Sequence, residues 1–263
     1  MLSEQPAPLV AAFAGLGGQR VWSLMISLFG DLAQGNGDAI DGPVLSTIMA
    51  ALDVRPEASR VALHRLRNDG WLQSRKVGRI SQHSLTAQGR AESAAASPRI
   101  YAAPPDLSEP WQMVMTEENG REIDATLRAE GFIPVMPRVY VGRSESTAPK
   151  GSLPLRGETP PDWLRRAVEP TALEPEYDAL LHALSTLRGT LACDSHMNAL
   201  EIAVLRCLIV HNWRRLALKH PALPGGLIRS DWSGYQCHLL VDQLLNRHPR
   251  PALQDLAAAS AAG

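Results

Sequence analysis

Arg60, His64, Arg67 and Asn68 recur at the spacing of one helical face, and Lys76 and Arg79 follow closely. An Arg fork matches the two acceptors of guanine and an Asn amide matches adenine, so a helix presenting both can read base edges in a major groove. An Arg at the tip of a ribbon suits the negative potential of a narrow minor groove. From Arg55 to Arg79, seven Lys/Arg stand against two acids, Glu57 and Asp69, a local +5 in a chain of net charge −1. Such a basic island is an electrostatic footprint for phosphates.

The elements that must position these groups are legible around them. Pro56 fits the first helical position, where a missing N–H costs nothing. Ala58, Val61, Ala62 and Leu66 then form the inward face of a helix. Gly70 ends it as a C-cap. Trp71–Leu72 leads into Arg75 and Lys76, Gly78–Arg79 turns the chain, and Ser81–Leu85 returns as a strand. Thr86 caps a further, Ala-rich helix, with Gly89 close behind. Upstream, an apolar stripe predicts a helix over 19–33, Gly35 to Asp38 a turn, and a second helix spans 43–52. A lone basic helix is most often an ordinary solvated face. Helix, helix, turn, basic helix and basic ribbon in this order instead describe a winged helix-turn-helix that binds double-stranded DNA. It would occupy 18–103, ending in the linker Ala102 to Pro105, with residues 1–17 mobile.

The second part, 106–170, predicts a strand at 111–116, a helix at 120–130, strands at 132–135, 138–141 and 152–155, and a helix at 161–168. That order suggests a small ferredoxin-like α+β domain. Seven acids against two arginines between Asp106 and Val135 argue against a second DNA contact there. The third part, 171–250, is helical: 174–191, a strongly apolar 199–218 broken by Pro221 and Pro224, and 231–246. The Ala-rich residues after Pro249 read as a frayed tail. The predicted fold class is therefore multidomain α+β, with a winged helix-turn-helix, a ferredoxin-like domain and a C-terminal α-helical domain.

With 263 residues, 45% of them hydrophobic, the chain can build real cores. Cys193, Cys207 and Cys237 form no C-x-x-C pair, which points to reduced thiols in a cytoplasmic protein. No run of about 18 apolar residues is present for a membrane span, and the N-terminus lacks the basic region of a signal peptide. His196 lies three residues after Cys193, but a metal would need two further ligands and none clusters with them, so no metal is expected. No G-x-S-x-G, P-loop or H-E-x-x-H occurs, and the chain reads as a non-enzyme without a cofactor.

Two blocks carry a family resemblance. The first is R-V-A-L-H-R-L-R-N-D-G-W-L from Arg60 to Leu72, with R-K-V-G-R-I-S from Arg75 to Ser81 and S-L-T-x-x-G from Ser84 to Gly89. The second is H-N-W-R-R-L-A-L-K-H-P-A-L-P from His211 to Pro224, with D-W-S-G from Asp231 to Gly234. Together they resemble the PaaX family of bacterial transcriptional repressors of phenylacetate degradation and their relatives. The resemblance implies the three parts above, with the middle one similar to Cas2. It also implies a homodimer on a palindromic operator, released by an aryl-acetyl-CoA effector such as phenylacetyl-CoA. The chain departs from the family at the second ribbon strand, where His83 replaces a frequent aromatic, and in its short tail.

For a CoA thioester, Arg214 and Arg215, with His211 and Lys219 to either side, offer forks for phosphates. Trp213 and Trp232 offer faces for a ring. The same spacing fits tryptophans in a core and arginines paired between helices. Two other classes stand beside the repressor. One is a winged-helix protein-interaction scaffold, which has no use for Lys76 and Arg79. The other is a Cas2-like metal-dependent nuclease, which needs an acid at the end of the first strand, where Gln112 to Thr116 has none.

Overall fold

The computed structural model describes residues 6–13, 16, 20–118, 120–191 and 197–261. It is a mixed α+β structure in which the described residues form eleven α-helices and two small sheets. The N-terminal elements are α1 (Pro6–Phe13), α2 (Val21–Leu32), β1 (Ile40–Asp41), α3 (Gly42–Ala51), α4 (Pro56–Asn68), β2 (Leu72–Val77), β3 (Ile80–Leu85) and α5 (Ala87–Ile100). The strands form an antiparallel sheet in the order β1-β3-β2. At two residues, β1 is too short for period-2 alternation to announce it. It is held by the register Ile40↔His83 and by the Gln82 amide donating to Asp41 at 2.9 Å.

The middle elements are β4 (Trp111–Met115), α6 (Arg121–Ala129), β5 (Ile133–Met136), β6 (Val139–Arg143), β7 (Leu153–Gly157) and α7 (Asp162–Val168). Every strand pair is antiparallel and the order is β5-β6-β4-β7. Val114, Leu127, Phe132 and Tyr140 form a core between one sheet face and α6. Gly142 permits it, because a Cβ there would lie 2.6 Å from the Phe132 ring. Trp111, Ile133 and Val141 join the main core with Leu164 and Val168 of α7.

The C-terminal elements are α8 (Glu174–Thr190), α9 (Ala199–Ala217), α10 (Ser233–Arg247) and α11 (Leu253–Ala261). A capping box starts α9: Asn198 accepts from the Glu201 N–H at 3.0 Å, and Glu201 accepts from the Asn198 N–H at 2.9 Å. Most of α9 is buried, because α2, α8, α10, α1 and α11 all pack on it. One hydrophobic core therefore runs from α2 through α9 to α10.

Two terminal expectations are corrected here. Residues 6–13 form α1, with Phe13 fully buried against the helical layer. The tail is the helix α11, which buries Leu256 and packs on α3 and α9. Neither segment has a strong pattern of its own, and each is ordered by the apolar surface it covers.

Charge is also built into the seam between α2 and α9. Arg206 grips Asp31 with two hydrogen bonds of 2.8 Å, and both side chains are almost wholly buried. Arg250 (3.0 Å) and the Tyr101 hydroxyl (2.8 Å) also donate to Asp31. Arg206 further donates to the carbonyls of Leu245 and His248. One turn along, the Ser27 hydroxyl donates to the Ser23 carbonyl. Its oxygen lies 3.2 Å from Nδ1 of His211. With its proton engaged, Ser27 accepts from Nδ1–H, and the buried Nε2 of His211 has no hydrogen-bond partner among the described residues. Burial, then Arg214 and Arg215, push this imidazole down to about 3.

Two outcomes follow from this seam. Asp31→Ala leaves the buried Arg206 guanidinium without its carboxylate and should cost about 3–5 kcal/mol in urea denaturation. His211 stays neutral in the folded chain while the unfolded chain protonates near the usual 6.5. Above that pH the two states bind protons equally. As pH falls from 6.5 toward 3, the unfolded state gains a proton and stability drops, at up to about 1.4 kcal/mol per pH unit. His211→Gln should remove this contribution from the acid limb of a stability-versus-pH curve.

Candidate nucleic-acid interface

The turn before α4 is set by Asp53, whose φ of 58° reverses the chain, and by the Val54 N–H donating to Met49. Arg55 is the extended N-cap and Pro56 the first helical residue. Gly70 adopts φ 74°, the left-handed conformation that glycine tolerates best, and the Trp71 N–H closes back on Leu66. Thr86 joins both ends of the ribbon: its hydroxyl donates to the Gly70 carbonyl and accepts from the Gly89 N–H at 3.0 Å. Gly89 is required there, since a Cβ would lie 2.4 Å from the Trp71 carbonyl oxygen.

This frame exposes Arg55, Arg60, His64, Arg67 and Asn68 on α4, and Lys76 and Arg79 at the ribbon. His64 and Asn68 lie 3.3 Å apart. Arg60 holds only the exposed Glu57, at 3.3 Å. Among the described residues Arg55, Arg67, Lys76 and Arg79 have no carboxylate partner in an ion pair. Two other cations are engaged: Arg65 pairs with Asp69 and lies over the Trp22 ring, and Arg75 donates to Gln82. One inward assignment is wrong. Val61 is 70% exposed, on the same side as Arg60 and His64. Ala62 and Leu66 centre the buried face, and Val61 lies about 100° round from Ala62 on the helical period. His83 is buried behind the ribbon, bonded to Ser74 at 2.8 Å. Burial, then Arg67, lower its pKa.

The six residues proposed for an effector separate. Trp213 and Trp232 line a cavity of about 580 Å³ at the corner between α9, α10 and the 102–110 segment. His211, Arg214, Arg215 and Lys219 do not line it. His211 is enclosed at the α2 seam, Arg214 donates to Ser23, Arg215 to the Leu16 carbonyl, and Lys219 pairs with Glu176 at 3.4 Å. Arg206 and Arg214 of α9 turn onto α2 and Arg215 onto the Leu16 carbonyl, away from the tryptophans. Sequence reasoning missed Arg99, Tyr177, His220 and His238, which also line the cavity. They come from three separate helices and a turn, and no local spacing links them.

Cys193 and His196 lie outside the described residues. Among the described residues, no group of three His, Cys, Asp or Glu could hold a metal ion. No described helix is long and apolar enough to cross a membrane. Gln112 of β4 is buried and donates to the carbonyls of Arg143 (2.8 Å) and Ser146 (2.6 Å), holding the β6–β7 connection.

Fold and surface together define a mixed α+β chain whose N-terminal half presents a basic helix and ribbon on one exposed face. Residues 20–89 match the family described as PaaX-like protein, and residues 169–258 match the PaaX-like protein C-terminal domain. The two matches cover more than half of the chain, which belongs to the PaaX-like family. It is 26% identical, over 258 residues, to the Transcriptional repressor PaaX of Escherichia coli (strain K12), covering 88% of this chain and 81% of that protein. A solved structure, Uncharacterized protein Rv0674 from Mycobacterium tuberculosis, aligns with a TM-score of 0.49 at 16% identity, over 91% of this chain and 97% of that one.

Because Arg60, Arg67, Lys76 and Arg79 are exposed and make no buried bond, replacing each with Ala should shift folding stability by no more than about 0.5 kcal/mol. Thermal denaturation of the four variants checks this.

Proposed function

We propose that the chain is a DNA-binding transcriptional repressor, acting in the cytoplasm and not an enzyme. The observation that carries this reading is the run of cations on α4 and the β2–β3 ribbon that have no carboxylate partner among the described residues. The family, and the printed function of the Escherichia coli relative, point the same way. In this reading α3 and α4 are a helix-turn-helix and the ribbon is its wing, within 18–103. The split arrangement of β4, α6, β5 and β6, with β6 between two parallel strands, supports a ferredoxin-like centre within 106–170. The helical part, 171–250, is the effector and dimer domain. Arg67 and Asn68 read bases in the major groove, and Arg55, Lys76 and Arg79 meet phosphates or the minor groove. A homodimer on a palindromic operator of an aromatic-acid catabolic operon, released by an aryl-acetyl-CoA, completes the reading.

A scaffold is a different use of the same fold, and salt separates the two. Binding to a duplex selected from a random pool should weaken with salt, each neutralised phosphate contributing a slope of about −0.9 in log K against log salt. Lys76→Ala should lower the slope by about that amount for all sequences. Arg67→Ala should cost about 1–3 kcal/mol of discrimination at one base pair. Absence of salt-dependent duplex binding in a gel shift would defeat the repressor reading and favour the scaffold.

A further inference from the structure

We infer that Val61 is a specificity residue of the α4 surface, its methyl groups meeting the C5-methyl of a thymine in the major groove. This role rests on the repressor reading and adds to it a base preference that no cation can supply. Val61 is 70% exposed, and among the described residues no large apolar side chain is more so. The buried stripe of α4 runs through Ala62 and Leu66. At about 100° per residue, the outward stripe runs through Glu57, Val61, His64 and Asn68, at i, i+4, i+7 and i+11. All four are exposed. Val61 therefore sits within the outermost side of the helix, next to Arg60.

The fold makes no use of this side chain. A β-branched residue is a poorer helix former than alanine, because the helix restricts its χ1. An exposed valine recovers nothing from burial. Its neighbours argue against an apolar partner surface as the occupant. Glu57 is held by Arg60 at 3.3 Å, His64 lies 3.3 Å from Asn68, and Arg65 pairs with Asp69. One valine ringed by charged and amide groups is too small a patch for a protein interface, whose centre is contiguous and apolar. It matches a ligand that is polar apart from a single methyl group. The major-groove edge of thymine is such a ligand, with an acceptor at O4 beside the C5-methyl, in a groove wide enough for a helix. The exposed cations Arg55, Arg67, Lys76 and Arg79, without a carboxylate partner among the described residues, complement the phosphates that flank it.

The same chemistry says what Val61 rejects. Cytosine has no C5-methyl and presents an N4 amino donor on this edge. Valine offers no acceptor, so that donor would lose water without gaining a bond. Ala58, one turn before Val61, is small and partly buried. A helix with a small residue there can approach a base edge as closely as the short valine side chain requires. Burying one methyl group against Val61 corresponds to about fourfold in affinity.

The test uses the full chain and a duplex selected from a random pool. Each thymine of that duplex is replaced in turn by deoxyuridine, which differs only in lacking the C5-methyl, and binding is titrated by fluorescence anisotropy. With the unaltered chain, deoxyuridine at one thymine, or at its mate in a palindromic site, should weaken binding about fourfold. Val61→Ala should bind the thymine duplex about fourfold more weakly and no longer distinguish thymine from deoxyuridine at that position. Its melting temperature, followed by circular dichroism, should equal or exceed that of the unaltered chain. Salt-dependent binding with no deoxyuridine-sensitive thymine, or with one equally sensitive in Val61→Ala, would overturn this inference and leave the repressor reading standing. A chain that binds no duplex would overturn both.

Discussion

Asp31 is the constraint on which the rest of the structure depends. Its carboxylate is removed from water on an otherwise apolar helix, and three donors from distant parts of the chain converge on it: Tyr101, Arg206 and Arg250. A buried ion pair contributes little net stability compared with well-packed apolar groups, because desolvation offsets the attraction. Its geometry is demanding, however. Apolar faces of α2 and α9 could slide past one another at small cost, whereas a carboxylate held from three sides permits one register. The same carboxylate reaches the end of α5 through Tyr101 and the tail through Arg250, which lies over the Tyr101 ring at 4.6 Å.

That register decides where the basic surface points. Helix α4 buries little of itself, chiefly Ala62 and Leu66, so its orientation is inherited from α2 and α3. Those helices are in turn clamped to α9 and α11. The ribbon is anchored at its base by Thr86 and backed by the buried His83, while its tip projects freely. A rigid base and an exposed, uncompensated tip suit contact with an extended polyanion, because the cations are ordered without being neutralised.

The cavity stands on the opposite side of the same logic. Its walls come from the segment linking the basic N-terminal elements to the sheet, and from the two helices that hold that segment. Hydrogen bonds there connect backbone carbonyls to side chains that also line the space. The end of α5 and the shape of the cavity therefore depend on the same hydrogen-bonded groups.

The amino-acid sequence by itself determined the local order of elements. Periodicity marked α2, α4 and α9, glycine and proline marked their ends, and the cluster Arg55 to Arg79 marked the charged face. These signals are local because capping, helical period and charge density act over a few residues. What only the tertiary structure decided was which faces meet. Val61 turned outward because the neighbours of α4, not its own pattern, set the buried stripe. The α1 and α11 segments became helices because α9 offered apolar surface to cover. Arg214 and Arg215 left the cavity because α9 is enclosed all round, so cations adjacent in sequence serve different neighbours. Asp31 and Arg206 show no local sign of their pairing across 175 positions, since a buried charge is tolerated only when a partner far along the chain arrives to meet it.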